Sequence, residues 1–447
     1  MKLFGTSGIR GKYGETVTEG LALDVGRAMG TLLDGTIAVG MDSRTSGPSL
    51  KSALISGLLS QGIDVYDLGL VPTPTVGVAI REYGCSAGVV ITASHNPSEY
   101  NGIKVWDERG VAFHDLEGRI EATVADGSFS VSSWNGVGEL VQRQPISLHM
   151  KKIMEHNELE NGYSVAVDCG CGAGSVITPY LLEKMGARVF SLNCQPSGFF
   201  PRGLEPNETN LSCLSNAVRS FGCDLGVAND GDADRIGAVD EKGRFIDYDH
   251  LLAMVSGFEC EISKSTNPKV VTTVDASMCL DNHLEQYGGE VIRTEVGDVA
   301  LARSLVNTDA TFGGEPSGTW IFPSHWLTPD GVLAAVRLLG MKDSGFEFHK
   351  EREKMPSYVT MREKIYIDNV DRESFYDDLL GTLNTERFES ILDIDGIRVD
   401  YGDSWVLYRF SGTEPLFRIT VEAGTGQRAK EVLETARKRV GELLRKQ

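Results

Sequence analysis

Three carboxylates stand at alternate positions in Asp230-Gly231-Asp232-Ala233-Asp234-Arg235, between the apolar runs Leu225-Gly226-Val227-Ala228 and Ile236-Gly237-Ala238-Val239. Acidic groups so close repel one another unless a divalent cation neutralises them, and an all-oxygen donor set suits Mg²⁺. An EF-hand loop also reads D-x-D-x-D, and Glu241 even falls at its twelfth position. Arg235, however, occupies the place of that motif's glycine, and the flanks read as strands. A solvated acidic turn is the plainer alternative.

A second loop, Thr92-Ala93-Ser94-His95-Asn96-Pro97, follows the apolar run Gly88-Val89-Val90-Ile91. A strand that stops at small polar residues and a proline presents Ser94 at a sheet's edge. It does not fit G-x-S-x-G, so it is not a hydrolase elbow. Lys104 lies inside the otherwise apolar Gly102-Ile103-Lys104-Val105-Trp106, where a cation is usually paired or functional. In Gly313-Gly314-Glu315-Pro316-Ser317-Gly318, Glu315 and Ser317 offer a carboxylate and a hydroxyl that vicinal sugar hydroxyls could bridge, although a plain turn has the same composition. Arg409 and Arg418 flank Ser411-Gly412-Thr413, which combines guanidinium donors, hydroxyls and free backbone N–H groups suited to a phosphate. An arginine-bearing hairpin turn is the alternative there.

One glycine-rich segment is a decoy. Val165-Ala166-Val167-Asp168-Cys169-Gly170-Cys171-Gly172-Ala173-Gly174 looks like a nucleotide-binding turn, but the following strand ends Ser191-Leu192-Asn193 and supplies no acidic residue for a ribose. Its glycines read as a strand-to-helix turn. Cys169 and Cys171 have no second pair at zinc-site spacing, and the other cysteines are scattered, several beside apolar runs, as reduced core residues are.

The elements that must position these loops recur. An apolar run ending in Asp, a polar turn, a helical stretch, a glycine and a second apolar run appear from Ile37 to Val65 with Asp42, from Val165 to Phe190 with Asp168, and from Val270 to Ile292 with Asp275. Asp168 follows Asp42 by 126 residues and Asp275 follows by a further 107, far beyond the roughly 20- to 50-residue period of a solenoid. Three tandem, similar α/β domains with mixed, mostly parallel sheets are expected. After Met355-Pro356 come alternating segments, a helix-like run from Arg372 to Leu383 and a closing amphipathic helix through Ala429, Val432, Ala436 and Val440. That is a C-terminal α+β domain. Boundaries fall at 1–142, 143–245, 246–355 and 356–447.

Lys plus Arg total 43 against 63 Asp plus Glu, a net charge of -20, which argues against nucleic acid or an anionic membrane as partner. No apolar run reaches the about 18–20 residues of a membrane span, and the first residues lack a signal peptide's apolar core, so a cytoplasmic protein is expected.

Taken together in their order along the chain, serine loop, aspartate loop, Glu-x-Ser-Gly loop and arginine-flanked loop, one per domain, the four resemble those of the α-D-phosphohexomutase superfamily. So do the opening Phe4-Gly5-Thr6-Ser7-Gly8-Ile9-Arg10-Gly11 and the turn Val71-Pro72-Thr73-Pro74. The resemblance covers the whole chain and implies four domains around a central cleft. It further implies that Ser94 is carried as a phosphoserine and, with Asp230, Asp232 and Asp234, binds Mg²⁺. Arg10, His95, Lys104 and Arg235 would be catalytic. Glu315 and Ser317 would grip sugar hydroxyls, and Arg409, Ser411, Gly412, Thr413 and Arg418 the phosphate that stays in place. The implied reaction interconverts hexose 6- and 1-phosphates through a hexose 1,6-bisphosphate, which also acts as activator. One departure stands out: many members have histidine directly after Glu-x-Ser-Gly, whereas this chain has Thr319-Trp320. That leaves His95, Lys104 and the nearby His325 as candidates for proton transfer. The Gly-Glu-Pro-Ser-Gly-Thr-Trp-Ile form is most similar to archaeal-type phosphoglucosamine mutases, so glucosamine phosphate is the expected substrate, ahead of mannose or glucose phosphate. A metal-dependent phosphatase using Asp230 as nucleophile is the alternative of another class. The oligomeric state is open, a homodimer included.

Overall fold

The computed structural model describes residues 3–5, 8–112, 115–367, 370–383, 387–411 and 415–445. Each of the three recurring sequence units folds as four neighbouring strands in the same order. In the first, Ile37–Met41 lies between its parallel neighbours Val65–Leu70 and Ala87–Ile91, and Tyr100–Asp107 runs antiparallel beyond the latter. Ser164–Asp168, Arg188–Leu192, Leu225–Asn229 and Ile236–Val239 repeat the arrangement. Lys269–Thr273, Glu290–Thr294, Phe312–Gly314 and Trp320–Ile321 repeat it again. The first strand of each unit is an apolar run because it is central and covered by helices on both faces. In the first sheet, Phe4–Gly5 and Gly8–Lys12 extend one edge antiparallel and Leu140–Gln142 the other edge parallel, making seven strands. Parallel and antiparallel pairings are therefore balanced there, whereas in the other two units parallel pairings predominate.

The last module is an antiparallel five-stranded sheet in the order Val359–Tyr366, Leu416–Ala423, Ser404–Phe410, Ile397–Asp400, Ser390–Asp393. The helix Gly426–Leu444 buries Ala429, Val432, Ala436, Val440 and Leu443, and its N-cap Thr425 accepts from the Arg428 N–H. Arg372–Leu383 adds Phe375, Leu379 and Leu383 to the same core.

The units are not independent beads. The helix Gly331–Asp343 is apolar nearly all round, and its side chains join one core with residues of the second and third units. Its N-cap Asp330 accepts from the Val332 and Leu333 N–H groups, from Trp326 Nε1 at 2.9 Å and from His149 Nε2 at 3.0 Å. His149 Nδ1 in turn lies 2.8 Å from Thr75 Oγ1, so one buried chain of hydrogen bonds ties the first unit to the third. No helix among the described residues is long and apolar enough to cross a membrane.

At the junction with the last module, Glu422 accepts from Met278 N–H at 2.9 Å and Trp405 Nε1 at 2.8 Å. Burial, reinforced by the charges of Glu422 and Asp247, pushes the nearby Asp249 up to about 7 from 3.8. The unfolded chain ionises this carboxyl first, so its contribution to stability is present below about pH 4 and is lost as pH rises through about 7. Asp249→Asn should therefore raise Tm relative to the parent at pH 8, with the gain vanishing near pH 4, as calorimetry at both pH values would show.

Candidate active site

In all three units the chemistry-bearing loop sits at one topological place, the connection from the third strand to the antiparallel fourth: residues 92–99, 230–235 and 315–319. The loop at 411–415 joins Ser404–Phe410 to Leu416–Ala423 in the last module. In the three α/β units this is the carboxyl end of the parallel strands, where open sheets bind ligands.

Ser94 is 1% exposed and held in the left-handed backbone region at φ 48°, a conformation that costs a non-glycine residue about 1 kcal/mol or more. Its Oγ donates to Asp230 Oδ2 at 2.6 Å and lies 3.3 Å from His95 Nδ1. The backbone around it is clamped by Arg44. The Arg44 guanidinium pairs with Asp42 at 3.0 Å and donates to the carbonyls of Ser94, Asn96, Pro97 and Tyr100 at 2.8, 2.7, 2.5 and 2.9 Å. The approach of the first two loops requires a glycine: a Cβ at Gly231 would lie 2.4 Å from the Ser94 carbonyl oxygen.

Asp230, Asp232 and Asp234 are buried, and each offers a carboxylate oxygen within 4.8 Å of the others. Lys104 reaches in from its strand to donate to Asp232 Oδ2 at 2.8 Å and Asp234 Oδ2 at 2.6 Å, and Thr73 Oγ1 donates to Asp232 Oδ2 at 2.6 Å. Asp232 Oδ1 and Asp234 Oδ1 are buried with no partner. Orphaned carboxylate oxygens cost several kcal/mol unless a ligand claims them, and with Asp230 they form a hard-oxygen set that fits Mg²⁺. Burial, with the charges of Asp234 and Asp232, pushes Asp230 well above the usual carboxylate range. Burial would raise Asp232 as well, but the Lys104 ammonium and the Thr73 hydroxyl hold it below that range.

The cations surround this centre. Arg235 Nη1 donates to both carboxylate oxygens of Glu205, at 2.9 and 2.8 Å, and Glu205 is also 3.6 Å from His95. Arg10 Nη1 donates to Asn96 at 3.4 Å, while its Nε is buried without a partner. Burial, then the charges of Arg235 and Arg10, push His95 down to about 3. Lys104, held between two aspartates, is raised above its ordinary value despite burial.

The third loop docks on the second through an Arg235 to Thr319 bridge and an Ile236 N–H to Gly318 carbonyl bond of 3.0 Å. Gly318 has φ 80°, and a Cβ there would sit 2.1 Å from the Ile236 carbonyl oxygen. Glu315 Oε1 accepts from Gly297 N–H at 2.8 Å and Oε2 from Ser317 Oγ at 3.0 Å; Ser317 Oγ also reaches Thr319 Oγ1 at 3.1 Å. In the last module Arg409 and Arg418 are direct partners on adjacent strands. Arg409 pairs with Asp395 at 2.6 Å, and Arg418 Nη2 donates to Ser411 Oγ at 3.4 Å. Asp395 also accepts from Val296 N–H at 3.2 Å, which brings this pair against the third unit. Gly412 and Thr413 lie outside the described residues.

His325 does not join this group. It contacts Asn157, His156 and Trp326, and its carbonyl accepts from Arg81, because the chain turns away from the Glu315 loop after the short strand Trp320–Ile321. The decoy glycines do form a strand-to-helix turn, and that turn supports the metal loop: a Cβ at Gly172 would lie 2.5 Å from the Gly231 carbonyl oxygen. Arg44 and Glu205 complete the site without having been singled out in the sequence, and Thr73 belongs to the turn Val71-Pro72-Thr73-Pro74 that had been.

Comparison with known proteins agrees with this geometry. Residues 1–130, 147–243 and 247–358 match the phosphoglucomutase/phosphomannomutase alpha/beta/alpha domains I, II and III, and 366–439 match the C-terminal domain of the same family. The chain is 48% identical to the "probable phosphoglucosamine mutase" of Thermococcus gammatolerans, over 100% of this chain and 99% of that one. A crystal structure of a phosphoglucomutase/phosphomannomutase family protein from Burkholderia thailandensis superimposes with TM-score 0.89 at 26% identity, covering 99% of this chain and 97% of the other. The N-acetylphosphoglucosamine mutase of Aspergillus fumigatus, solved with GlcNAc-6P and magnesium, shares the fold at TM-score 0.60 and 14% identity over 99% and 95% of the two chains. With four matched domains in order and a buried serine bonded into an aspartate triad, the chain belongs to the phosphoglucomutase/phosphomannomutase family of phosphohexomutases.

Proposed function

We propose that this enzyme interconverts glucosamine 6-phosphate and glucosamine 1-phosphate, using Ser94 as the carrier of the phosphoryl group and a glucosamine 1,6-bisphosphate as intermediate. The observation that carries the reading is the 2.6 Å bond from Ser94 Oγ to Asp230, beside two buried carboxylate oxygens without partners. A Mg²⁺ ion held by Asp230, Asp232, Asp234 and the Ser94 oxygen would neutralise charge on the group in transit. Lys104, fixed as a cation by two aspartates, and Arg10 and Arg235 flank the same centre, where preorganised positive charge is most of what phosphoryl transfer needs.

His95 and Lys104 are the candidates for proton transfer at this centre. His95 Nδ1 is 3.3 Å from Ser94 Oγ, within proton-transfer distance, but burial and Arg235 make it a weak base and the Ser94 hydroxyl donates to Asp230. Lys104, held as a cation by its two aspartates, would serve there as an acid. Glu315 and Ser317 grip the sugar hydroxyls in either orientation. Arg409, Ser411, Gly412, Thr413 and Arg418 hold the phosphate that is not transferred.

Three experiments test this. Initial rates on the 6-phosphates of glucosamine, glucose and mannose, each primed with a trace of the matching bisphosphate, should give the highest kcat/KM for glucosamine; a higher value for either neutral sugar contradicts the assignment. Exhaustive chelation should remove turnover, and added Mg²⁺ should restore it. Mg²⁺ alone should also raise Tm of the parent enzyme but not of Asp232→Asn, a shift that calorimetry reads without substrate.

A further inference from the structure

In the sequence the nearest thiol to Cys169 is Cys171; the fold gives Cys169 a different partner, Cys194. Ser164–Asp168 and Arg188–Leu192 are adjacent parallel strands with Asp168 opposite Leu192, and the two cysteines follow where these strands end. One carbonyl receives them both. The Cys169 N–H donates to the Leu192 oxygen at 3.3 Å, and the Cys194 thiol donates to the same oxygen at 3.1 Å and lies 3.5 Å from the Val167 carbonyl. Cys194 Sγ is thus folded back over the end of the strand that leads into Cys169. A hydrogen bond between the two thiols, ahead of burial, raises Cys169 well above the ordinary thiol range and lowers Cys194.

The two sulfurs differ in access. Cys169 is fully buried, whereas Cys194 is partly exposed, and both are free thiols. A reagent from solvent therefore meets Cys194 first, with Cys169 waiting behind it, the arrangement in which an accessible thiol is oxidised and a neighbour resolves it. The surrounding chain is strained: the non-glycine residues Cys171 and Asn193 are both held in the left-handed region, at φ 59° and 50°, at about 1 kcal/mol or more each.

This turn is wired to the catalytic loops. The Gly172 N–H donates to the Cys169 carbonyl at 2.8 Å, and the next N–H, that of Ala173, donates to the Gly231 carbonyl inside the aspartate loop at 2.8 Å. On the other side the Cys171 carbonyl accepts from Ser43 Oγ at 2.8 Å, next to the Arg44 clamp on the serine loop. A shift of the turn at Cys169 is passed to both.

We propose that Cys194 and Cys169 are an oxidant-responsive pair, which a hydroperoxide converts to a disulfide that displaces the aspartate loop and slows turnover. The inference goes beyond the sugar assignment and holds whichever hexose phosphate is the substrate. With hydrogen peroxide, the Cys194 sulfur attacks one oxygen, the O–O bond breaks, one water leaves and a sulfenic acid forms. The Cys169 sulfur then attacks Cys194, the S–O bond breaks and a second water leaves. Two thiols and one peroxide give one disulfide and two waters, the thiols losing the two electrons that the peroxide gains. A disulfide draws its sulfurs to about 2.05 Å, closer than hydrogen-bonded thiols stand, so the ends of both strands must move.

The test treats the full-length, Mg²⁺-loaded enzyme with hydrogen peroxide, alkylates the remaining thiols and maps them by peptide mass. Cys169 and Cys194 should be recovered cross-linked and unalkylated. Turnover should fall by about 10²-fold as the cross-link accumulates, the cost of misplacing reacting groups by about 1 Å, and dithiothreitol should restore it. Cys194→Ser should begin with the parent's activity and keep it through the same treatment. Mapping and reversal on the parent decide the matter even if that variant folds poorly. Thiols of Cys169 and Cys194 that stay alkylatable, a cross-link that leaves turnover unchanged, or equal inactivation of Cys194→Ser would each overturn the proposal.

Discussion

Ser94→Ala is expected to lower turnover by about 10⁴-fold or more, the scale seen when the nucleophile of a covalent mechanism is deleted. The substitution removes one oxygen from a side chain that is already small and buried, and it leaves the Arg44 clamp on the Ser94 carbonyl untouched. Folding should therefore survive, and Tm should change little. What disappears is the atom bonded to Asp230 at 2.6 Å and with it the proposed covalent station for the phosphoryl group. The same variant separates the mutase from the other chemistry an aspartate loop can support. Were Asp230 the nucleophile of a phosphatase, phosphate release would persist in Ser94→Ala and vanish in Asp230→Asn.

Arg44→Met should produce the largest loss of stability among single changes near the site, about 3–5 kcal/mol, the usual consequence of stripping one partner from a buried ion pair. Asp42 would be left fully buried, with the Thr92 hydroxyl at 2.6 Å and the residue-44 N–H at 2.9 Å as its remaining donors. Four carbonyls, those of Ser94, Asn96, Pro97 and Tyr100, would lose their donor together. Arg44→Lys should recover only part of the loss, because an ammonium cannot reproduce the planar fork. The effect extends to rate. A loop whose serine carbonyl is no longer fixed misplaces Oγ relative to Asp230, and displacements near 1 Å cost about 10²-fold. Thermal melts combined with kcat measured on the folded fraction check both parts; an unchanged Tm would mean that the clamp carries no weight.

Most of the architecture was legible because it is written locally. Apolar runs ending in Asp42, Asp168 and Asp275 each became the first strand of a four-stranded unit, and the helix read from Arg372 to Leu383 has those bounds. Lys104 stood out as a charge in an apolar strand and proved to be paired with Asp232 and Asp234. The contacts that escaped notice act at long range. Arg44 reaches a carbonyl 50 residues away, and Thr73 an aspartate 159 residues away; no spacing in the chain encodes either contact. Asp42-Ser43-Arg44 did carry a local hint, since Asp107-Glu108-Arg109 makes the same acid-to-arginine brace, its Arg109 Nε 2.9 Å from Asp107. Only the fold, however, turns one of these braces into a clamp on the Ser94 loop. His325 erred in the opposite direction: it was near the Glu315 loop in sequence but packs against His156 and Trp326 in space.

The charge balance also has a physical reading now. The chain carries a net charge of -20, yet Arg10, Lys104 and Arg235 gather at the aspartate centre, and Arg409 and Arg418 pair across neighbouring strands of the last module. An anionic substrate is drawn by where the cations are placed rather than by their sum.

The central claim is that Ser94 hands its phosphoryl group to a sugar phosphate. A single-turnover experiment addresses it directly. Enzyme first charged with hexose 1,6-bisphosphate should be about 80 Da heavier by intact mass, with the increment mapping to Ser94. On rapid mixing with an equimolar amount of glucosamine 6-phosphate, that increment should fall transiently as glucosamine 1,6-bisphosphate forms and return to Ser94 as glucosamine 1-phosphate is released. Loss of the increment as inorganic phosphate, or an increment that maps to Asp230 instead, would contradict it.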